Sequence, residues 1–539
     1  MEWFLSPIHP YTPDDGSGDG AAEAFALSHA QRLPAELREF LALPGPQSLL
    51  VRGPPGSGKT TLCLALLEAA AGSRMLLTSR VSQAELHRGF PWLGENGSSN
   101  IEIVDTGALE GTLREVARSA AETSRLIAGG TAADREFSQF LWLPGPIQEA
   151  WSRLPPNTPS IIVIDSWDAL IEQYLGGFGP TSPDLPDRAE VERILLRQLG
   201  KGRSHVVIVL ERREESQLDY LVNGVIVTQR ELGNDRLERW LHLPKLRGIR
   251  IANGYYPYTV EEARFQCIEP IKAYADLRKG RFEPEPDPMP GYLWPGSKSF
   301  AENFGRLPVG KTSLFETDAE LQDQVLQLML APMIASVASV HGRALLIPSP
   351  SLSAKEIWDS LRATAQRSRL EQGLRVIDVT GQLEVAAKQT APELAPMVMP
   401  IRALLPRTPP EPGATEPPDT EVRRFLASGG VAGSPVLAAT FVSGFISLGA
   451  AMKAPITPDQ VDSFPALVQS ALGSAPMHLI VLGRTGMPLF ESLRSLAAIH
   501  IHLRVRQGRV FVYGSKPWTS GLVLAEGSET VPYDLLRVV

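Results

Sequence analysis

Cysteine is almost absent from this chain. Of its 539 residues, only Cys63 and Cys267 are cysteines, and two thiols cannot build a framework of several disulfides. A reducing compartment is therefore the natural environment, and we expect a cytoplasmic protein.

Positive charge is also in short supply. The chain has 52 Lys and Arg residues against 60 Asp and Glu residues, a formal net charge of -8. Such a surface does not attract a polyanion in bulk, so a partner held mainly through its phosphates, such as DNA, is disfavoured. A local basic groove remains compatible with this composition.

Long apolar segments are scarce as well. Residues 436–452 form a run of seventeen residues without a charge, but this is just below the length that spans a bilayer, and Gly, Ser and Thr dilute it. A buried strand that continues into a core helix gives the same pattern, and we expect this arrangement. Residues 1–20 lack a basic segment followed by an apolar core, so we predict neither a signal peptide nor a membrane anchor.

The length suits two or three domains, and shifts in composition indicate their bounds. We predict a disordered N-terminal tail at 1–22 and a first α/β domain at 23–280. A Pro-rich linker at 281–297 then leads to a second α/β domain at 298–539. This second domain contains the Pro-rich stretch 406–420, which we expect to be a disordered surface loop.

The two halves repeat the same order of strand signals. The corresponding segments are RMLLT at 74–78 with RALLI at 343–347, HVVIVL at 205–210 with HLIVL at 478–482, and strands that begin at Ile226 and Ile499. Each similarity is weak alone, but their shared order and spacing favour a duplicated α/β domain. Strands that alternate with helices predict a mostly parallel sheet covered on both faces.

The strongest motif lies between an apolar strand at 48–51 and a helix-forming segment at 61–71. The eight residues from Gly53 match GxxxxGK[ST] in the strand–loop–helix setting that this motif requires. Glycines let backbone N–H groups converge on phosphates, and the helix N-terminus adds partial positive charge. A chance glycine loop is the alternative. The predicted ATP-binding residues are Gly53, Pro54, Pro55, Gly56, Ser57, Gly58, Lys59, Thr60 and Thr61, with Lys59 also catalytic.

A magnesium site needs oxygen ligands beside the phosphates. The Thr60 hydroxyl is one, and Asp165, which follows the apolar residues 161–164, brings a carboxylate to the carboxyl edge of the predicted sheet. We therefore predict that Thr60 and Asp165 bind Mg²⁺. The alternative is that Asp165 caps the helix predicted at 167–175.

The remaining signals of the first half follow Asp165 in a fixed order. They are Ser166, Glu211-Arg212, Val222-Asn-Gly-Val-Ile-Val227, Leu243-Pro-Lys245-Leu-Arg247-Gly248 and Tyr256-Pro-Tyr258-Thr259. Between about residues 27 and 269, this order resembles RecA-superfamily ATPases of the KaiC type. The resemblance implies an α/β fold of tandem RecA-like P-loop domains with mostly parallel sheets.

In such ATPases a Lys-x-Arg pair reaches the γ-phosphate bound by the neighbouring subunit. By resemblance, Lys245 and Arg247 are catalytic residues that act in trans, and the chain forms a homo-oligomeric ring. Two fixed cations fit this chemistry, because negative charge develops during phosphoryl transfer. The alternative is a surface hairpin with ordinary solvated basic residues.

The sequence departs from the family after its second strand. KaiC-type ATPases have adjacent glutamates there, whereas this chain reads Thr78-Ser79-Arg80-Val81, and Glu85 lies one turn later on a helix surface. Without a positioned base, hydrolysis should be slower by about two to four orders of magnitude. The resemblance therefore implies a slow ATPase.

The second half has lost more of the pattern. Its strand at 312–316 leads to Thr317–Asp323, which contains no glycine or lysine and whose carboxylates would repel phosphate. Phe441 stands roughly where Asp165 does in the first half, and 516–518 (Lys-Pro-Trp) lacks the arginine of the Lys-x-Arg pair. We predict that the second domain is degenerate and binds no nucleotide.

The tandem architecture and the segment 33–38 (LPAELR) also resemble the gas-vesicle regulator family GvpD. This resemblance implies a nucleotide-dependent regulatory or assembly protein that acts on an unidentified protein partner. The alternative is a DNA accessory protein similar to the recombinase paralogues. The segment 176–188 is glycine-rich, but its one basic residue is outnumbered by two aspartates, which makes DNA an unlikely partner.

Overall fold

The computed structural model describes residues 32–93, 100–105, 160–176, 188–189, 192–193, 196, 204–211, 214–233, 235–269, 289–340, 342–404, 420–428, 436–444, 446, 477–487, 489–527 and 533–538. The chain divides into two compact units, Met1–Ile268 with Val538–Val539, and Glu269–Arg537. The predicted tail at 1–22, residues 406–419 of the predicted loop and residues 177–187 lie outside the described residues.

The first unit is built on a nine-stranded sheet with the order β3-β2-β4-β5-β1-β6-β7-β8-β9. Its strands are β1 (Ser48–Arg52), β2 (Ser73–Thr78), β3 (Ile101–Asp105), β4 (Ser160–Asp165), β5 (Ser204–Leu210), β6 (Gly224–Gly233), β7 (Arg236–Leu246), β8 (Tyr255–Thr259) and β9 (Gln266–Cys267). The pairs from β3 to β6 are parallel, and the pairs from β6 to β9 are antiparallel.

Both faces of this sheet are covered. In β1, Leu49 and Val51 belong to one buried apolar cluster and Leu50 to another, because successive side chains of a strand point to opposite faces. The helices are α1 (Ala35–Leu41), α2 (Lys59–Ala69), α3 (Gln83–Gly89), α4 (Trp167–Gly176) and α5 (Gln217–Leu221). Helix α2 packs in the first cluster and α4 in the second.

The second unit has a ten-stranded sheet with the order β15-β14-β13-β16-β17-β12-β18-β19-β20-β21. Its strands are β12 (Thr312–Thr317), β13 (Arg343–Ile347), β14 (Leu374–Asp378), β15 (Val398–Pro400), β16 (Val436–Phe441), β17 (Met477–Arg484), β18 (Ile499–Arg506), β19 (Arg509–Lys516), β20 (Leu522–Glu526) and β21 (Tyr533–Arg537). A separate pair joins β10 (Tyr292–Leu293) to β11 (Leu307–Pro308).

The helices of this unit cover both faces of the larger sheet. They are α6 (Lys298–Phe304), α7 (Asp323–Ser339), α8 (Ala354–Arg362), α9 (Arg367–Gly373), α10 (Leu383–Thr390), α11 (Glu421–Ala427) and α12 (Leu489–Leu496). Helices α7 and α8 contribute to one buried cluster, and α11 and α12 to another.

The two sheets have the same strand order once the extra edge strand β15 is set aside. In each, a parallel part is followed by antiparallel strands that extend one edge. The predicted α/β fold with mostly parallel sheets is confirmed. It buries the central strands on both faces, as their apolar sequences require.

One predicted correspondence between the halves is wrong. Leu49 of β1 lies opposite Gly224, whereas the matching residue of β12, Ser313, lies opposite Ile499. Ile499 therefore corresponds to Gly224 and not to Ile226. The offset of two residues arises between β5 and β6 in the first unit and between β17 and β18 in the second. The helix in this connection has five residues in the first unit (α5) and eight in the second (α12).

The end of the predicted linker at 281–297 belongs to the second unit. Tyr292–Leu293 form β10, and the Ser297 hydroxyl accepts a hydrogen bond from the Phe300 backbone N–H at the start of α6. Leu293 and Ser297 are buried. Proline spacing therefore marked a linker that is too long at its carboxyl end, because a buried turn with a helix cap also contains Pro and Gly.

The apolar segment at 436–452 begins as a buried strand. All six residues of β16 are buried, between β13 and β17 in the sheet. Residues 447–452 lie outside the described residues. None of the helices in the described part of the chain combines the length and the apolarity needed to cross a membrane.

The two central strands carry buried charges of opposite sign. In β1, Arg52 pairs with Asp219 of α5, with 3.2 Å between Nε and Oδ2. In β12, Glu316 pairs with Arg494 of α12, with 2.7 Å between Oε1 and a guanidinium nitrogen. Both strand residues are less than one-tenth exposed. Each pair ties the central strand to the helix that precedes the neighbouring strand.

In the second unit, arginines close the turn between β12 and α7. Arg484 donates to the carbonyl oxygen of Asp318 at 2.7 Å, to the Asp323 carboxylate at 2.9 Å and to the carbonyl oxygen of Leu321. Arg504 forms an ion pair with Asp318. Asp318 and Asp323, two of the three carboxylates that we expected to repel phosphate, are thus neutralised within the unit, and the turn is held by guanidinium groups.

We predict that Arg484→Ala destabilises the second unit by about 2 kcal/mol, because a largely buried carboxylate and two carbonyl groups lose their donor. Urea unfolding of the whole chain, followed by far-UV circular dichroism, measures this change. Arg367→Ala is the matched control, since Arg367 forms only an exposed pair with Glu371 one helical turn away. Equal unfolding curves for the two variants would contradict the proposed role of Arg484.

Candidate functional site

The loop between β1 and α2 has the backbone that a phosphate-binding loop requires. Gly56 and Gly58 have φ angles of 70° and 84°, in the left-handed region that favours glycine. Gly58 is the N-cap of α2, and no side chain caps this helix. The first backbone N–H groups of α2 are therefore available to an anion, and the helix dipole favours one there.

Neighbouring strands hold this loop in place. A side chain at Gly53 would put its Cβ 2.2 Å from the Thr228 hydroxyl oxygen, so only glycine fits. The hydroxyl groups of Ser57 and Thr228 are 2.7 Å apart, and the Tyr258 hydroxyl donates to the carbonyl oxygen of Ser57. These contacts fix the conformation of the loop, and a preorganised loop reduces the entropy cost of binding.

Lys59 places its ammonium group inside the loop. It donates to the carbonyl oxygens of Gly53 and Pro54, both at 2.9 Å, and its side chain is buried. Burial lowers the pKa of Lys59, while the charges of Glu211 and Asp165 act in the opposite direction. A cation held among carbonyl groups at a helix N-terminus is positioned to contact a phosphate.

Asp165 and Thr60 meet at the carboxyl end of β4. The Thr60 hydroxyl donates to the Asp165 carboxylate at 2.7 Å. Burial raises the pKa of Asp165, and the hydrogen bond from Thr60 and the charge of Lys59 lower it in part. Two adjacent oxygen ligands, one of them a carboxylate, match the donor set that Mg²⁺ prefers. A nearby divalent cation would also favour the charged carboxylate.

The alternative role for Asp165, a helix cap, has less support. The backbone N–H of Ala169, in the first turn of α4, points to the Ser166 hydroxyl at 3.4 Å. Ser166, not Asp165, therefore occupies the capping position, while the Asp165 carboxylate faces Thr60. The peptide between Asp165 and Ser166 is cis.

A further carboxylate lies at the same sheet edge. Glu211 follows β5 and forms an ion pair with Arg80, which follows β2. Both Glu211 and Asp165 act electrostatically on Lys59. The stretch after β2 has no carboxylate of its own. Through the ion pair with Arg80, the Glu211 carboxylate lies beside this stretch. Glu211 was not predicted as a site residue, although it also follows an apolar strand, as Asp165 does.

Glu85 lies on the helix surface, as expected from the sequence. Its carboxylate accepts hydrogen bonds from the backbone N–H and hydroxyl of Ser82, while its own N–H donates to that hydroxyl. This reciprocal pair is a capping box at the start of α3. The hydrogen bonds from Ser82 lower the pKa of Glu85, and both residues stabilise the helix start.

Lys245 and Arg247 lie at the other edge of the sheet. Lys245 pairs with Val225 at the amino end of β6, whereas the P-loop follows the carboxyl end of the parallel strand β1. Lys245 donates to the carbonyl oxygens of Asp219 and Val222 at 2.6 and 2.7 Å. Neither cation is therefore brought to the P-loop of its own chain.

The two cations differ in how firmly they are held. The Lys245 ammonium has two short bonds near the end of α5, whereas Arg247 is exposed and donates to the Tyr220 carbonyl oxygen at 3.2 Å. In the second unit, Lys516 has the register position of Lys245 and donates to the carbonyl oxygens of Arg494 and Ser495. The lysine thus has a structural role that both units share.

The position of Asp165 corresponds to one of two residues in the second unit, depending on which neighbouring strand sets the register. Thr440 lies opposite Ile347 of β13, as Asp165 lies opposite Thr78 of β2. Counted from the histidine-bearing strand, however, the matching residue is Phe441. Both residues are buried and neither carries a carboxylate.

Side chains from β6, β7 and β8 that support the P-loop were missed by the sequence analysis. Thr228 contacts Ser57, and Arg239 donates to the carbonyl oxygen of Gly56 at 2.7 Å. Tyr258 was noted only for its place in the pattern. These contacts span more than 170 residues of sequence, so local spacing contains no signal for them.

Comparison with known proteins gives two sequence relatives, and no family model matches the chain. GvpD2 of Halobacterium salinarum is 29% identical over 244 residues, which cover 44% of this chain and 45% of that protein. GvpD1 of the same organism is 27% identical over 242 residues, which cover 44% of this chain and 41% of that protein. The chain therefore matches less than half the length of each relative.

A structural neighbour is the KaiC-like protein PH0186 of Pyrococcus horikoshii OT3, at 18% identity. The match covers 44% of this chain and 97% of that one, with a TM-score of 0.29. The GvpD matches confirm, at modest sequence identity, the resemblance to the GvpD proteins, and the mostly parallel sheet with its loop after β1 is consistent with a RecA-like α/β domain.

Proposed function

We propose that the first unit binds ATP with Mg²⁺ and hydrolyses it slowly, so that the nucleotide state controls contacts with other protein chains. The observation that carries this proposal is the meeting of Lys59, Thr60 and Asp165 at one end of the P-loop, with 2.7 Å between the Thr60 and Asp165 oxygens. A buried cation beside a hydroxyl–carboxylate pair suits a triphosphate and its metal ion.

Each residue of the P-loop has a separate task in this proposal. The N–H groups from Gly56 to Thr61 bind the phosphate oxygens, and Lys59 exchanges its bonds to loop carbonyl groups for bonds to the β- and γ-oxygens. Thr60 and Asp165 hold Mg²⁺, which supplies charge neutralisation at those oxygens when bound. Burial lowers the pKa of Lys59, and the nearby carboxylates of Glu211 and Asp165 oppose this and favour the charged form.

Slow turnover follows from the state of the edge carboxylate. KaiC-type ATPases have glutamates after their second strand, and in this chain Glu211 could take their role. The Glu211 carboxylate already accepts a hydrogen bond from Arg80. We propose that Glu211 orients the attacking water and accepts its proton, and that Arg80 fixes the position of the Glu211 carboxylate. The ion pair leaves the carboxylate partly engaged, which suits a switch with low turnover better than a motor.

Arg247 is the candidate for action in trans. Its exposure, its single bond at 3.2 Å and its place at the far sheet edge suit a contact with the P-loop of another copy. Such a head-to-tail contact closes into a ring or continues as a filament. Lys245 then anchors the hairpin, since Lys516, at the same register position in a unit without a P-loop, also donates to backbone carbonyl groups of the helix that precedes the neighbouring strand.

The second unit has a structural or partner-binding role in this proposal. The second unit is the degenerate RecA-like domain in this proposal, and the first unit is the active one. Arg484 and Arg504 already occupy the turn that replaces the P-loop. The regulated partner is a protein, in line with the GvpD resemblance, and the protein acts in the cytoplasm. Binding to single-stranded DNA that weakens steeply with salt would favour the recombinase-like alternative.

We expect Lys59→Ala to weaken ATP·Mg²⁺ binding by at least about a hundredfold, because the loop loses the charge-assisted bonds of its one lysine. Isothermal titration calorimetry measures the affinity. Lys311→Ala is the matched control, since Lys311 also precedes a threonine but is exposed before β12. The same affinity in wild type and Lys59→Ala would refute the site.

Glu211→Gln should lower ATP turnover by about ten- to a hundredfold and leave ATP affinity unchanged, because the amide keeps the shape but cannot accept a proton. Phosphate release under saturating ATP is the measurement. Glu85→Gln removes a carboxylate that only caps α3 and should retain full turnover. If Glu211→Gln is as active as wild type, water is activated by another group and this assignment fails.

Arg247→Ala should abolish ATP-dependent assembly and spare ATP binding to the monomer, because the γ-phosphate loses its partner across the interface. Light scattering with ATP, with ADP and without nucleotide measures assembly. Arg250→Ala, an exposed cation three residues away, should assemble normally. A wild-type protein that stays monomeric in all three conditions would end the trans hypothesis.

A further inference from the structure

Three potential metal ligands meet inside the second unit. Glu316 of β12 lies opposite His502 of the neighbouring parallel strand β18, and His500 lies two residues earlier on the same face. One Glu316 oxygen is 3.1 Å from His500 Nε2 and 3.8 Å from His502 Nδ1. These three atoms all lie within 4.8 Å of one another. The Glu316 side chain is 1% exposed.

The first unit shows what these positions hold when no such group is present. By register, His500 corresponds to Val225 and His502 to Val227. Both valines belong to the buried apolar cluster on that face of the first sheet. Replacing two core valines by imidazoles costs free energy unless the ring nitrogens gain partners.

Internal hydrogen bonds account for only part of this substitution. His500 Nδ1 lies 2.8 Å from the Ser515 hydroxyl, which directs Nε2 toward Glu316. His502 stacks on Tyr513 with ring centroids 4.9 Å apart. Its buried Nδ1 has no hydrogen-bond partner among the described residues. The His500 ring is thus oriented as a metal ligand requires, and His502 has a ring nitrogen available for a metal ion.

We propose that Glu316, His500 and His502 bind a zinc ion between β12 and β18. Two imidazoles and one carboxylate are a known three-ligand set for Zn²⁺, with water completing the tetrahedron. The Ser515 hydroxyl orients His500, as second partners of metal-bound histidines do. The ion would join the strand that has lost its P-loop to its neighbour in the sheet.

Arg494 is the group that opposes this site. It donates to both carboxylate oxygens of Glu316, at 2.7 Å to Oε1 and 3.1 Å to Oε2. Zinc binding through Oε2 leaves the Oε1 bond in place and breaks the longer one. The ion pair alone explains a buried Glu316, but it does not explain histidines where the first unit has valines. The nearby positive charge limits the affinity, so we expect micromolar binding.

The test uses the full-length chain after removal of metal by chelation and dialysis. Zn²⁺ titration in competition with a chromophoric chelator should give one site per chain, and Co²⁺ should give the visible bands of tetrahedral coordination. The variants His500→Val and His502→Val restore the residues of the first unit, so they should fold. Each should lose the site, and Zn²⁺ should raise the unfolding temperature of the wild type only.

His87→Ala is the matched control, because His87 lies on α3 of the first unit and should leave Zn²⁺ and Co²⁺ binding unchanged. The proposal is overturned if the wild type binds no Zn²⁺ at micromolar concentration. It is equally overturned if the folded double variant His500→Val/His502→Val retains the stoichiometric site or the Co²⁺ spectrum. None of these readouts depends on ATP, so the result is independent of the function proposed for the first unit.

Discussion

The parallel pairing of one central strand on both sides is the constraint on which the candidate site depends. β1 lies between β5 and β6 and runs parallel to both. Parallel strands end at the same edge, so the P-loop after β1 meets the residues that follow β2, β4 and β5. Lys59, Asp165, Arg80 and Glu211 come together for this reason alone. β6, the parallel neighbour of β1, then supplies Thr228 to hold the loop.

The same constraint explains how much could be predicted from sequence. The α/β fold, the strand that ends in Asp165 and the P-loop are local patterns, so the sequence alone predicted them. The Asp165–Thr60 contact followed from the edge rule, since each residue ends or follows a strand. The Arg80–Glu211 pair obeys the same rule, but nothing in local spacing says which polar residues of an edge become partners.

Other features were beyond reach because they depend on register. The alternation at 499–502 indicates a strand with histidines on one face, but Glu316 is 184 residues from His500. The two arginines that close the turn after β12 lie 166 and 186 residues from Asp318 in sequence. The incorrect match of Ile226 with Ile499 has the same origin. It was based on the number of residues along the chain, whereas structural correspondence depends on which residues pair across the sheet. The two differ wherever the helix between two strands is longer in one unit than in the other.

The exchange of charge sign between the two central strands has a consequence for how the chain assembles itself. Two similar sheets in one polypeptide can trade strands while they form, which is a common error of duplicated sequences. If β12 took the place of β1, Glu316 would meet Asp219, and β1 in the place of β12 would set Arg52 against Arg494. Each exchange places a buried charge of the strand beside a like charge, which is unfavourable where solvent screens it poorly. The opposite signs of Arg52 and Glu316 therefore favour the pairing of each sheet with its own central strand over that of the other unit.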